Sequence, residues 1–226
     1  MPAKRTCSVP LAVGFTVRLA AIAAASALLL TACVTGERPS FVDDASAAGT
    51  PVGDAPVDAV LGRLENPATQ PFTADYTILT KATGGTSNAT VAVDVDRRSI
   101  TISNIRFLIE GSRTGTCNVD SGRCSNSIDD GRVSDIQVTH EFYGVSTARR
   151  LRADAARRIG QTAPSAETIA GLAATCVSVP VTSDSAATYC VLENGLLARM
   201  DNGDVAIELT AFRDGVDETD FLAVSD

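Results

Sequence analysis

Beyond residue 71 the chain alternates. Phe72, Ala74, Tyr76 and Ile78 are interleaved with Thr73, Asp75, Thr77 and Leu79, the period of two that a half-buried strand imposes. Lys81–Ser87 (KATGGTS) predicts a turn. Val91, Val93 and Val95 then alternate with Ala92, Asp94 and Asp96, and Arg97-Arg98 is expected to turn the chain again. Ile100 and Ile102 continue the face, but the next apolar set is Ile105, Phe107 and Ile109. That switch from even to odd at Ser103-Asn104 predicts a bulge or sharp bend. Ile136, Val138, His140 and Phe142 form another alternating face. Val177/Val179/Val181, Ala187–Leu192, Leu196–Met200 and Val205/Ile207/Leu209 bring the expectation to about eight strands in sequential hairpins.

Two stretches carry the helical period instead. Pro56–Glu65 (PVDAVLGRLE) places Val57, Val60, Leu61 and Leu64 on one face, with Pro56 suited to a first turn. Ser146–Gly160 (STARRLRADAARRIG) repeats Ala148, Leu151, Ala155 and Ile159 between a capping Ser and a terminating Gly. One to three helices beside an antiparallel sheet give an α+β class.

The first residues read as an address. Lys4, Arg5 and Arg18 precede an uncharged run, LAAIAAASALLL, and only fourteen uncharged residues separate Arg18 from Cys33, too few to cross a bilayer core of about 30 Å as a helix. A cationic start, a short apolar middle and small residues at its end describe a secretory signal over residues 1–32. Leu30-Thr31-Ala32-Cys33 resembles the lipobox of bacterial lipoproteins. The resemblance implies that the Cys33 thiol receives a diacylglyceryl group and becomes the first residue after cleavage. Two acyl chains, at about 0.8 kcal/mol per buried methylene, would give stable anchoring. Residues 33–55, rich in Ala, Gly, Pro, Asp, Thr and Ser, then read as a flexible acylated tether, and 56–226 as one sheet-rich extracytoplasmic domain.

Charge and cysteine usage agree with export. The chain carries −8 overall, and residues 1–32 contribute +3, leaving −11 on the remainder; a nucleic-acid partner, which needs clustered Lys and Arg, is excluded. Setting aside Cys7 in the leader and Cys33, four cysteines remain: Cys117, Cys124, Cys176 and Cys190. An even number outside the cytoplasm points to disulfides. Three pairings are open, the nearest-neighbour one being the simplest, and the wide spacings fit a zinc site poorly. Ala, Arg and Val usage with two Lys matches a GC-rich, actinobacterial genome.

An acylated tether, a helix, then antiparallel strands interrupted mid-chain by a helix is similar to the LolA-like superfamily, which includes periplasmic lipoprotein carriers and LppX- and LprG-type mycobacterial lipoproteins. The resemblance covers residues 56–226 and implies a strongly curved sheet, a half-barrel, with helices packed on it and a hydrophobic ligand such as a lipid between the layers. The chain has no Trp and 4% aromatic residues, few for lining a large cavity.

Catalytic constellations are missing. His140 is the one histidine and shares an apolar face, so it reads as a core or cavity-lining residue. No G-x-S-x-G turn presents a serine, and no Walker or dinucleotide glycine pattern is present. No cofactor and no metal site is implied; Asp129-Asp130-Gly131 and the acids of Asp214–Asp220 match no calcium loop. Arg149, Arg150, Arg152, Arg157 and Arg158 flank the apolar stripe of one helix, which makes Arg149 and Arg152, with His140, the ligand-binding candidates, acidic lipid headgroups being one ligand. The expectation is a membrane-anchored, non-catalytic lipoprotein that binds or carries a hydrophobic ligand. The alternative is an envelope interaction or sensor module with a fully packed core.

Overall fold

A computed structural model describes residues 47–67 and 69–221 of the chain. The leader, Cys33 and the first part of the expected tether lie outside the described residues.

Helix α1 (Ala55–Leu64) begins where the Asp54 carboxylate accepts the Val57 N–H at 3.2 Å, with Asp58 in its first turn and Arg63 in its last. Both charges suit the helix dipole. Val57, Val60, Leu61 and Leu64, the stripe expected from the sequence, are its buried face. Residues that the sequence places in the tether are tied to this helix: Asp58 accepts the Val52 N–H at 2.7 Å and Glu65 the Gly49 N–H at 2.8 Å.

The sheet follows: β1 (Phe72–Thr80), β2 (Gly85–Asp94), β3 (Arg97–Ile102), β4 (Ile105–Glu110), β5 (Arg113–Asn118) and β6 (Cys124–Ser125). The chain then leaves the sheet through a 3-10 helix (Asp130–Ile136) and α2 (Val145–Ala156). It returns in β7 (Ala163–Ile169), β8 (Leu172–Pro180), β9 (Ala186–Leu192), β10 (Leu197–Asp201) and β11 (Val205–Asp214). Eleven strands form one open sheet in the order β6-β5-β4-β3-β2-β1-β11-β10-β9-β8-β7, every pair antiparallel. The protein is α+β with a large, curved, open antiparallel sheet.

Two hairpin meanders are therefore joined through the pairing of the first strand with the last. Cross-strand rows fill the covered face: Ala74, Val91, Ile100 and Phe107 on one side, Ile78, Ile207, Met200 and Tyr189 on the other, all buried. The crossover carries Phe142 into this layer, edge-on to Tyr76 at 5.1 Å.

Four expectations are corrected. Among the described residues the strands number eleven rather than about eight. Those missed include β7 (APSAETI) and β5 (RTGTCN), whose apolar residues are too few to show a period. Of the bulge or sharp bend expected at Ser103-Asn104 the chain makes the bend, a tight hairpin turn with Ile102 opposing Ile105; two turn residues reverse the parity without a bulge, and Ser103 takes φ 52°. Irregularities in register lie instead between β1 and β11, at Asp75/Tyr76, and between β9 and β10, at Leu197/Arg199. Ile136–Phe142 is not a strand: Gln137 turns left-handed at φ 62° to end the 3-10 helix, and the alternation reflects a coiled segment that buries Val138 and Phe142. The turn after β2 is Val95-Asp96, with Arg97 and Arg98 already in β3. Helix α2 is also shorter than Ser146–Gly160, beginning after Gly144 and ending before Arg158 at φ 50°.

Cys117 pairs with Cys124 across β5–β6 and Cys176 with Cys190 across β8–β9, each pair directly opposed and disulfide-bonded. Replacing Cys176 and Cys190 by alanine is expected to destabilise the domain by about 3 kcal/mol, the chain-entropy value for a ring of about fifteen residues. The urea midpoint against the unreduced protein measures it; an unchanged midpoint refutes it.

Candidate functional site

One end of the sheet's covered face is left open. Phe72, Val93 and Arg98 oppose one another across β1, β2 and β3, so strand register carries a cation to the rim of an apolar row. Above them the end of α1 contributes Leu64 and Pro67, the β9–β10 loop Leu196, and the bend before α2 Glu141 and Tyr143. The result is a cleft of about 190 Å³.

Its apolar lining is continuous with the core, Leu64, Phe72 and Leu196 being buried. Its rim is unusual: Val95 is 86% exposed and Val145 43%. The wall formed by the β9–β10 loop depends on glycine. Gly195 takes φ +83°, and a Cβ there would lie 2.5 Å from the Arg63 carbonyl oxygen and 2.8 Å from Pro67 Cα, so no other residue allows the loop so close to the helix end.

The polar groups converge on Tyr143. Burial pushes its phenol above the ordinary value; the Arg98 charge opposes that shift and Glu141 adds to it. The phenol is thus neutral at physiological pH and keeps a proton to donate. Glu141 has its ion-pair partner outside the cleft, Arg149 at 3.7 Å. A guanidinium, a phenol and a carboxylate around an apolar pocket equip the cleft to bind and orient a small molecule.

The sequence-selected residues lie elsewhere or have other work. His140 Nδ1 is 3.0 Å from both Asp130 carboxylate oxygens, its backbone N–H donates to Asp130 at 2.7 Å, and its ring sits 5.6 Å from Phe107; the pair ties the crossover to itself, and the ring contact sets it against β4. Arg152 is 2% exposed and donates to both Glu65 oxygens, at 2.6 and 2.7 Å, and to the Thr50 carbonyl. It joins α2 to α1 and to the segment before it. Arg149 is exposed on the cleft's outer side. Arg150 pairs with Asp204 at 3.3 Å and Arg157 with Asp154 at 3.7 Å. Asp154 also accepts the Tyr189 hydroxyl at 2.5 Å; burial first and this bond second push the Tyr189 phenol far above its usual range.

The acidic clusters are likewise engaged: Asp129 accepts the Gly131 N–H at 3.1 Å, and Asp217 and Asp220 meet Arg213 at 3.0 and 3.5 Å. Glu167 lies with Cys176 and Cys190 within 4.8 Å, but those sulfurs are committed to their disulfide. Arg98, Glu141 and Tyr143 were not singled out by sequence because β3 and the crossover lie some forty residues apart. One signal was legible: Arg98 shares the parity of Ile100 and Ile102, a charge on an apolar face.

No family profile matches the chain, and no curated protein matches it. Among solved structures it is similar to MucB, at 13% identity over 76% of this chain and 64% of that one, with TM-score 0.45. It is also similar to a LolA superfamily protein from Nitrosomonas europaea (10% identity, 71% and 94% of the two chains, TM-score 0.36) and to LprF from Mycobacterium bovis (12%, 68% and 92%, TM-score 0.33). The chain spans less than two thirds of the length of the MucB chain. Among the described residues no helix is long and apolar enough to cross a membrane.

Proposed function

We propose that the protein is a non-catalytic binding module, held at the extracytoplasmic face of the cell membrane by lipid on Cys33, that recognises its ligand at a surface cleft rather than carrying an acyl chain inside. The supporting observation is the packing between sheet and helices. Tyr76, Phe107, Phe142, Leu151 and Tyr189 are each at most 1% exposed and occupy the layer where a carrier would hold its cargo. The cleft holds about 190 Å³, and the hollow beside Asp54 and Pro180 about 240 Å³, below the roughly 300–1,000 Å³ that drug-sized ligands fill. A diacyl lipid needs more. The surface sites therefore carry the recognition, and the packed domain matches an interaction or sensor module.

Feeding producing cells a photoactivatable palmitate analogue tests both parts. The full chain is expected to take the label through Cys33, and the Cys33→Ala chain to carry none, before or after irradiation. An unlabelled wild type refutes the anchor. Light-dependent crosslinks in the Cys33→Ala chain at Tyr76, Phe107 or Phe142 refute the packed module and favour a carrier.

A further inference from the structure

The cleft presents both signs of charge over an apolar lining. Arg98 and Glu141 reach it from different elements, β3 and the bend before α2, and no ion pair joins them among the described residues. Tyr143 sits within the field of both. An anion alone would gain Arg98 but face Glu141 in a chain of net charge −8; a cation alone would gain Glu141 and face Arg98. A molecule bearing both charges satisfies the two groups together, and the Tyr143 hydroxyl supplies a further donor for its anionic end. The volume sets the remainder: about 190 Å³, beside the buried side chains of Leu64, Phe72 and Leu196, accepts one branched or aromatic side chain and excludes a long alkyl tail.

We propose that this cleft binds a small zwitterion with an apolar side chain, an α-amino acid of about leucine size, with its carboxylate on Arg98 and its ammonium on Glu141. The inference rests on the surface-recognition reading above and names its ligand class. A free amino acid and the zwitterionic end-to-end span of a short peptide share this chemistry but differ in the distance between charges, so a dipeptide separates them.

Isothermal titration of the full chain in lipid nanodiscs tests it, with L-leucine, leucinamide, 4-methylpentanoate and glycyl-leucine as probes. Leucine is expected to bind with a Kd of roughly 10 μM to 1 mM, the range for a ligand of this size. Leucinamide lacks the carboxylate and 4-methylpentanoate the ammonium, so each should bind at least about tenfold more weakly, as should leucine to Arg98→Gln or Glu141→Gln. Glycyl-leucine should also bind at least about tenfold more weakly; equal or tighter binding overturns the free amino acid in favour of a peptide. Arg150→Gln, outside the cleft, should bind leucine as the wild type does. Thermal melts of the exposed-site variants establish that they fold. No heat with about 10 mM leucine, or either single-charge analogue binding as well as leucine, overturns the proposal. Such a result leaves the palmitate-labelling outcome untouched, so failure here is distinguishable from failure of the anchored module.

Discussion

Replacing Arg152 with alanine is expected to destabilise the domain by about 3–5 kcal/mol, because it leaves a largely buried carboxylate without its cation. Arg152 joins Glu65 through two hydrogen bonds and also donates to Thr50, so one guanidinium fastens α1, α2 and the residues that precede α1. Burial alone would raise the Glu65 pKa, but the Arg152 guanidinium and the Gly49 N–H outweigh it and hold the carboxyl below the ordinary range. A depressed carboxylate pKa contributes stability that is present above the unfolded-state value, near pH 4.3, and is lost as pH falls through the folded-state value. The wild type should therefore lose this contribution on acidification below about pH 4, while Arg152→Ala, already without the pair, should show a flatter pH dependence there. Urea denaturation of both proteins between neutral and acid pH measures the effect. Replacing the pair together, as Arg152→Met with Glu65→Leu, should be milder than either single loss because no lone charge stays buried. A loss under about 1 kcal/mol for Arg152→Ala would mark the pair as a surface contact.

Phe142→Ala is expected to be comparably severe, about 3–5 kcal/mol, the usual range for an aromatic truncated in a packed core. Phe142 is 1% exposed and meets Tyr76 edge-on at 5.1 Å and Tyr143 edge-on at 5.9 Å. Its carbonyl accepts the Thr147 hydroxyl at 2.5 Å, which ties the bend to the first turn of α2. Removing the ring takes support from beneath Tyr143, so the same change should weaken ligand binding at the cleft as well as lower the melting temperature. Phe142→Leu keeps most of the volume and should retain most of the stability. If the alanine variant melts with the wild type, the layer between sheet and helices is not the packed core described above.

The parts legible in the sequence were those whose pattern is set by burial on one face. The α1 stripe of Val57, Val60, Leu61 and Leu64, and the alternation through Phe72–Ile78, follow directly from a helix and a strand with one side covered. Strand β7 escaped notice because an edge strand of Ala, Pro, Ser and Thr buries little on either face. Residues 136–142 misled for the opposite reason: a coiled segment pinned by Asp130 buried alternate residues without pairing to anything. Arg152 was grouped with its neighbours on α2 by charge, yet it is the one turned inward, and only the arrival of Glu65 from α1 makes that tolerable. The cleft was hidden because it is assembled by β1–β3, α1 and the crossover, with no local motif to announce it.

The central seam of the sheet has a consequence for how the molecule comes into being. Strand β1 is hydrogen-bonded on one side to β2, fifteen or so residues away, and on the other to β11, where Phe72 opposes Asp214. Synthesis proceeds from the N-terminus, so the first meander emerges with the β1 edge bare until almost the whole domain has been made. Non-local pairing of this kind slows folding, and a bare strand edge invites pairing with other chains. The nascent first half must therefore be shielded, or kept unfolded, until its last partner strand arrives.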